Sequence, residues 1–343
     1  MLVTSLLGLA ACWYTEAEWE AALAEGTGGD GDADPFGDAD ADADADGDSD
    51  SDTDPDSAGD TDAAPKVVGV SLRVSSAEIE TREVVALTAT ASYDDGSSSD
   101  VTEAADFDVD DEDVLKIYER GVGQPLMEGR VTVTASFGGF SSSAGVVVAL
   151  SPAGPGDLVF NEVLADTPAG GDPNRDGSSD SVEDEFIELA NYADVTVDLS
   201  GATIVEQDFF ALPRHTFAEG TFLRAGEAIV VFGGGSVGAL SAMNVSFVVC
   251  VNEDSALQYG LSLGNEGELV LLVAPDGSTT LAEFEYGDGA SIDALVDISM
   301  VLEPDVWGDH YTSHRYADGA STDYSPGTFS DGSAFPGPDG RYP

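Results

Sequence analysis

From Val68 onward the apolar residues fall on every second position. Val68, Val70, Leu72 and Val74 alternate with Gly69, Ser71 and Arg73, and Val85, Leu87, Ala89 and Ala91 alternate with Thr88, Thr90 and Ser92. Side chains on a strand change face at each residue, whereas those on a helix repeat every 3.6, so this spacing commits the chain to half-buried β-strands. The turn Asp94-Asp95-Gly96 leads to further segments around Phe107, at Val114 to Tyr118, at Arg130 to Phe137 and at Ala144 to Leu150. Six or seven short strands in about 85 residues, separated by turns every 8 to 12 residues or so, predict a small β-sandwich.

Nothing before Lys66 has this pattern. From Asp30 to Asp62 the chain is Asp interleaved with Ala, Ser, Gly, Thr and Pro, including the alternating run Asp38 to Asp46. Residues 1–65 hold 19 acids and no bases. Such a stretch cannot bury enough apolar surface to offset its ordering entropy, and its like charges repel, so residues 13–65 are expected to be a disordered, extended tether. Ahead of it, Thr15-x-x-Glu18 with Trp19, Ala22 and Leu23 reads as a capping box on a short helix that is marginal by itself. The whole chain of 343 residues carries 11 Lys and Arg against 67 Asp and Glu, a net charge of −56, of which −37 lies beyond the tether. That balance opposes nucleic acid as a partner, since phosphate backbones are bound by displacing counterions with Lys and Arg, and it opposes adhesion to an anionic bilayer. The 40 Gly and 15 Pro suit a turn-rich β-protein, and two Cys, Cys12 and Cys250, exclude a disulfide framework.

Residues Leu2 to Ala11 form an apolar run too short to span a bilayer, ending in Leu9-Ala10-Ala11-Cys12. This resembles the lipobox of bacterial lipoproteins. The resemblance implies a signal over residues 1–12, cleavage before Cys12, acylation of that Cys and attachment to the membrane. Trp13 follows, which in such proteins is compatible with sorting to the outer membrane. A signal of this kind begins with Lys or Arg, whereas the first basic residue here is Lys66.

Two further stretches carry resemblances. Val84 to Ala91, then Asp95-Gly96-Ser97 with Asp100-Val101-Thr102, then Gly129 to Ala135, follow one another as in the group 2 bacterial immunoglobulin-like domain, over residues 66–150. Phe107 stands where that family usually has Trp. After a Pro/Gly linker at 151–156 come Asn161-Glu162-Val163, Asp184 to Leu189 with Asn191, Val197-Asp198-Leu199-Ser200-Gly201, Leu223 to Phe232, Leu261-Ser262-Leu263 with Asn265, Val270 to Leu272 before Asp276-Gly277, and Ser325-Pro326-Gly327. In order and spacing these resemble the lamin tail domain of bacterial surface and secreted proteins, over residues 157–330, with 331–343 as a C-terminal tail. The resemblances imply an all-β chain of two immunoglobulin-like β-sandwiches in tandem, the first a spacer and the second a binding or scaffolding module.

The first long loop of the second domain carries a metal motif. Asp172-Pro-Asn174-Arg-Asp176-Gly177-Ser178-Ser179-Asp180-Ser-Val-Glu183 satisfies every specified position of the twelve-residue calcium loop D-x-[DN]-x-[DN]-G-x5-E. Calcium takes six to eight oxygens. Asp172, Asn174 and Asp176 would converge, Gly177 permits the bend, the Ser178 carbonyl turns inward, Asp180 acts directly or through water, and Glu183 closes the shell. No amphipathic helix flanks the loop and Ser179 fills the usually apolar eighth position, so it is read as a structural calcium loop between strands rather than an EF-hand.

Catalytic motifs are present only in form. Gly233-x-Gly235-x-x-Gly238 and Gly234-x-Ser236-x-Gly238 satisfy a dinucleotide and a nucleophile pattern, but both chemistries need a helix next, and only Ala239 to Met243 separate the loop from the strand Val245 to Val251. His310-x3-His314 beside Asp309 lacks the Glu of a zinc helix and reads as exposed loop histidine, and Cys250 reads as a buried apolar residue. The expectation is a non-enzymatic, lipid-anchored protein of the bacterial outer membrane or cell surface, binding an unknown protein or glycan and no small-molecule substrate. The alternatives are a hydrolase using Ser236 or the His310/His314 pair, and a purely structural acidic coat protein that binds cations.

Overall fold

In the computed structural model the described residues are 64–206, 212–250 and 260–338. The lipobox Cys12, the short helix at 15–25 and the acidic tether lie outside them. Among the described residues every element is a strand except a three-residue 3-10 turn at His314–Tyr316. The described chain is all-β, as the alternation and the resemblances imply.

The first sandwich has nine strands between Val67 and Ala149. One sheet runs Val67–Val74, Val85–Tyr93, Val122–Pro125, Leu115–Glu119, with Ser98–Asp100 also pairing to Val85–Tyr93. The other runs Glu78–Glu80, Phe140–Ala149, Gly129–Phe137, Asp106–Val109, and the Val67–Val74 strand packs across onto Phe140–Ala149. Alternation decides what goes inside: Val85, Leu87, Ala89 and Ala91 are buried from one strand, and Val131, Val133 and Ala135 from the facing one. The fourth and sixth segments shift by a few residues, to Leu115–Glu119 and Phe140–Ala149. The additional strands Glu78–Glu80, Ser98–Asp100 and Val122–Pro125 are short or rich in Ser, Gly and Pro and so lack a periodic signal.

The second sandwich sets a six-stranded sheet, ordered Val245–Val249, Ala228–Phe232, Phe186–Asn191, Leu158–Leu164, Met300–Glu303, His310–Ser313, against a four-stranded one, ordered Leu212–Thr216, Thr203–Glu206, Gly267–Val273, Thr280–Gly287. Phe160, Ile187, Leu189, Ile229, Val270, Leu272 and Phe284 fill the space between them. The central strands Phe186–Asn191 and Ala228–Phe232 are buried at every position, because their other face is covered as well. Phe186, Val230 and Phe232 pack there with Phe247 and Tyr324, and Ala190 and Ala228 pack with Val306 and Phe335. Phe247 apart, these covering residues come from the segments that follow the strands Met300–Glu303 and His310–Ser313, and the packing continues past residue 330 to Gly337, whose N–H bonds the carbonyl of Gly226 at 3.0 Å.

The stretch between the sandwiches is knitted on both sides. Ser151–Pro152 forms a small parallel strand on Val197–Asp198. Thr81 donates its hydroxyl to the Thr196 carbonyl (2.8 Å) and accepts from the Ser151 N–H (3.0 Å). The Thr196 hydroxyl reaches the Leu126 carbonyl at 2.6 Å, and Arg82 pairs with Asp157. The described residues from 64 to 338 fall into one compact unit.

Candidate metal centre

The twelve-residue loop hangs between the strands Leu158–Leu164 and Phe186–Asn191 and is shaped by its own side chains. Asn174 Oδ1 accepts from the Asp176 N–H (3.0 Å), Asp176 Oδ1 from the Ser178 N–H (2.8 Å), and Asp180 Oδ1 from those of Val182 (2.9 Å) and Glu183 (3.1 Å). Short Asn and Asp side chains favour this bonding to backbone two residues on. Gly177 sits at φ +94°, a conformation that a side chain disfavours, and donates its N–H to Asp172 Oδ2 at 3.1 Å. The second oxygen of that carboxylate, Asp172 Oδ1, is buried and has no hydrogen-bond partner.

A second loop closes over the first. Gly234 N–H bonds the Glu183 carbonyl (3.1 Å), Gly238 N–H the Asn174 carbonyl (2.8 Å), and Ser236 N–H reaches Asp176 Oδ2 (3.3 Å). Gly235 marks where the side chains meet: a Cβ there would lie 2.6 Å from Asp176 Oδ2, 3.0 Å from the Asn174 amide nitrogen and 3.1 Å from Glu183 Oε2. At Gly238 a Cβ would fall 1.5 Å from the Arg175 carbonyl oxygen. The glycines that imitate nucleotide and nucleophile motifs therefore allow this close approach, and no helix follows them before Val245–Val249.

Of the six residues expected to hold the cation, the structure gathers Asn174, Asp176 and Glu183 around one point. Asp172 keeps its buried oxygen within the same loop, without joining that point. Ser178 is exposed, and Asp180 is exposed with one oxygen committed to its own turn. Spacing alone did not reveal Asp184. It is buried, and its carboxylate bonds the N–H of Asp180 at 2.8 Å and of Asn174 at 3.4 Å, tying both arms of the loop together. Burial raises its pKa, those two bonds oppose the rise, and the charges of Asp172 and Asp176 add to it. Among the described residues no three Asp, Glu, His or Cys side chains stand close enough to hold a metal ion. The carboxylates of Asp172, Asp176 and Glu183 fit a hard cation in type, with one oxygen left unsatisfied, but Asn174 turns its amide nitrogen to the meeting point while its Oδ1 accepts from Asp176, so that amide would have to turn over and the carboxylates draw closer to enclose an ion.

The histidines do not form a second centre. His310 is exposed and bonds Asp309 at 3.0 Å, whereas His314, expected on an exposed loop, is fully buried, with Nδ1 at 3.0 Å from the Thr322 carbonyl and Nε2 at 2.8 Å from Ser325 Oγ. The outer layer of the sheet, absent from the sequence reading, encloses it. Cys250 is half-buried, and burial pushes its thiol up to about 12, far from a reactive thiolate.

The landmarks that carry the lamin-tail resemblance meet beneath that outer layer. Glu162 and Glu188 are cross-strand neighbours, both fully buried on the outer face of the six-stranded sheet. Glu162 accepts from Ser299 Oγ (2.5 Å), Ser325 Oγ (2.8 Å) and the Ser325 N–H (2.9 Å). Glu188 accepts from the Asn161 amide (2.8 Å) and the Gly327 N–H (2.7 Å). Asn161 also donates to Asp305 (3.2 Å) and accepts from the Val306 N–H (2.7 Å). Burial raises both glutamates. His314 opposes the rise in Glu162, and the charge of Glu162 adds to that in Glu188. These groups fasten the C-terminal segment to the sheet and have no access to solvent.

No curated protein matches the chain. Similar solved structures include a DUF4876 family protein from Bacteroides thetaiotaomicron, 10% identical over 66% of this chain and 76% of that one with a TM-score of 0.27. Domains 5-6 of the S-layer protein SbsC are 13% identical over 66% of this chain and 100% of theirs, with a TM-score of 0.21. A longer piece of that S-layer protein is 12% identical over 63% of this chain and 32% of its own, with a TM-score of 0.22. Residues 151–288, which include the candidate loop and its glycine cover, match the model of the Lamin Tail Domain family.

Proposed function

We propose that this is a non-enzymatic protein of the bacterial cell surface, anchored through an acylated Cys12, in which the lamin-tail-like sandwich serves as a binding or scaffolding module and is braced by calcium. The observation that carries the calcium reading is the carboxylate of Asp172, one oxygen fixed by Gly177 and the other buried with nothing to satisfy it. A buried, unpaired charge is costly, and a cation at that oxygen would remove the cost. Asp172, Asn174, Asp176 and Glu183 would hold calcium together with the Ser178 carbonyl, and Asp180 directly or through water. The ion would supply positive charge that stiffens the loop and its glycine cover. The scaffolding reading is supported by the Lamin Tail Domain match. No helix among the described residues is long and apolar enough to cross a membrane; attachment through Cys12 rests on the lipobox-like Leu9-Ala10-Ala11-Cys12.

The test uses the full-length protein in its native host. Membrane fractionation and capture of envelope components with and without calcium should show a membrane-bound protein, released by Cys12→Ser, that retains a protein or glycan partner more strongly with calcium than in chelator. A soluble wild-type protein would overturn the anchor. Calcium-independent capture would overturn the bracing role. Hydrolysis of an ester or phosphate substrate that disappears in Ser236→Ala would overturn the non-enzymatic reading.

A further inference from the structure

Among the described residues, the segment that follows the 3-10 turn His314–Tyr316 adds no strand to either sheet. It lies instead over the outer face of the six-stranded one, where Tyr324 packs with Phe186, Val230 and Phe232, and Phe335 with Ala190 and Ala228. Its polar attachments converge on buried carboxylates: Ser325 on Glu162, Gly327 on Glu188 and Ser330 on Asp305. The strands on either side place the apolar Val301 and Val230 beside the two glutamates. The group here that can bring positive charge is the fully buried His314, with Nε2 at 3.9 Å from Glu162 Oε1. One hydroxyl joins the glutamate to the histidine, since Ser325 Oγ is 2.8 Å from Glu162 Oε2 and 2.8 Å from His314 Nε2. His314 Nδ1 is 3.0 Å from the Thr322 carbonyl, which only accepts, so that ring nitrogen carries a hydrogen.

With one further proton in this relay every bond is made. Either a neutral Glu162 donates to Ser325, which donates to His314 Nε2, or an imidazolium donates to Ser325, which donates to a charged Glu162. Without that proton Ser325 has a single hydrogen for two buried acceptors. One acceptor is then orphaned, and Glu162 is charged beside its cross-strand neighbour Glu188, an arrangement that burial makes costly. We propose that residues 317–337 form a strap latched by this shared proton: they lie over the sheet while the Glu162–Ser325–His314 relay is loaded, and lift when alkali removes the proton, uncovering Phe186, Val230 and Phe232. The titratable groups that face the relay are Glu188 from the sheet and Asp305 from the segment after Met300–Glu303, while Arg315 and Asp323 pair with each other toward solvent. Burial raises both Glu162 and Glu188. A group whose folded pKa stands above its unfolded one stabilises at low pH, and that effect is lost as pH rises through the folded value, so alkali loosens the strap.

The experiment is hydrogen exchange by mass spectrometry on the full chain, wild type and Glu162→Gln, from about pH 6 to about pH 9, the range in which buried glutamates titrate, with rates corrected for the intrinsic effect of base. Glu162→Gln supplies permanently what the proton supplies: its amide oxygen keeps the Ser299 hydroxyl and the Ser325 N–H, and its amide nitrogen donates to Ser325 Oγ, which turns to His314. In the wild type, protection of residues 317–337 should fall at least about tenfold further than that of strands 186–191 and 228–232. In Glu162→Gln the strap and the strands should stay within about twofold of each other. Glu188→Gln, which removes the neighbouring charge, should likewise hold the strap down to higher pH and carries the comparison if Glu162→Gln does not fold. Wild-type protection in 317–337 that falls no further than in the strands, or that falls equally in the variants, would overturn the proposal.

Discussion

The two sandwiches share an architecture and differ in what they put inside. In the first, the buried side chains are Val, Leu, Ile and Ala, and Thr81 at its border is the one polar residue buried among those described. In the second, large aromatics such as Phe160, Phe284 and Phe335 share the interior with Asn161, Glu162, Glu188, Asp305, His314 and the Arg214–Glu206 pair. Alternation of apolar and polar residues is enough to specify the first. Buried polar groups cost free energy unless each finds a partner. The second domain therefore retains them where they join distant segments, with Asn161 and Glu162 reaching residues near 300 and 325.

Removing a polar joint should hurt the second sandwich as much as a cavity hurts the first. Asn161→Ala strips partners from Glu188, Asp305 and the Val306 N–H, and at about 1–3 kcal/mol for each buried group left unsatisfied the total should exceed about 3 kcal/mol in urea unfolding. Leu87→Ala in the first sandwich should cost about 2–5 kcal/mol by loss of packing alone. Equal tolerance of Asn161→Ala and a surface change would break the comparison.

The response to pH should separate the two regions next. Burial pushes Glu185 up to about 8, opposed by the N–H groups of Leu263 and Ser262 and by Arg214. Its folded pKa lies above its unfolded one, so its stabilising effect is full at low pH and is lost as pH rises toward 8. His215, lowered to about 4 by burial, works in the opposite sense, but only below about 6.5. From pH 6.5 to 8 the Glu185 proton alone should lower the stability of the second sandwich by about 2 kcal/mol, and Glu162 and Glu188, also raised by burial, act in the same direction. The shifted groups of the first, Asp95, Asp100 and Asp110, are lowered by hydrogen bonds from Ser97, Thr102 and Thr132, and they withdraw stability only on acidification below the ordinary Asp range. Hydrogen exchange resolved by segment, measured across that interval, checks the contrast. Protection that falls equally in both sandwiches would contradict it.

Smaller effects sharpen the picture at the border and in the loop. Thr81→Val leaves the Ser151 N–H and the Thr196 carbonyl without their shared partner and should cost about 1–3 kcal/mol, with faster proteolysis near residue 151. Ser178→Ala should change stability by less than about 0.5 kcal/mol, because the residue is exposed and only its carbonyl would serve the ion. A larger loss at Ser178 would show that its side chain is used.

The first sandwich was legible in the sequence wherever period two is strict, as in Val85 to Ala91 and Gly129 to Phe137, and illegible where short Ser- or Gly-rich strands such as Ser98–Asp100 owe their place to a neighbour. In the second, Ala228–Phe232 reads as a plain apolar run and Phe186–Asn191 as one interrupted by Glu188, and both of their faces are covered, so the outer layer after Glu303 could not be seen from them. The twelve-residue spacing located the loop and its cluster of Asn174, Asp176 and Glu183. It could not show that Asp184 would tie the arms together, or that the Gly233 to Gly238 stretch would lie on top, since both depend on contacts across the fold. The polar landmarks were visible as residues, but not as a buried network.

The most direct measurement is hydrogen exchange by mass spectrometry on the full chain, in calcium and in chelator, for the wild type and Asp176→Ala. Calcium should slow exchange in residues 172–184 and 233–238 of the wild type, leave 67–149 unchanged, and have no such effect in Asp176→Ala. Exchange in the two loops that is indifferent to calcium, or equally slowed in the variant, would contradict the account.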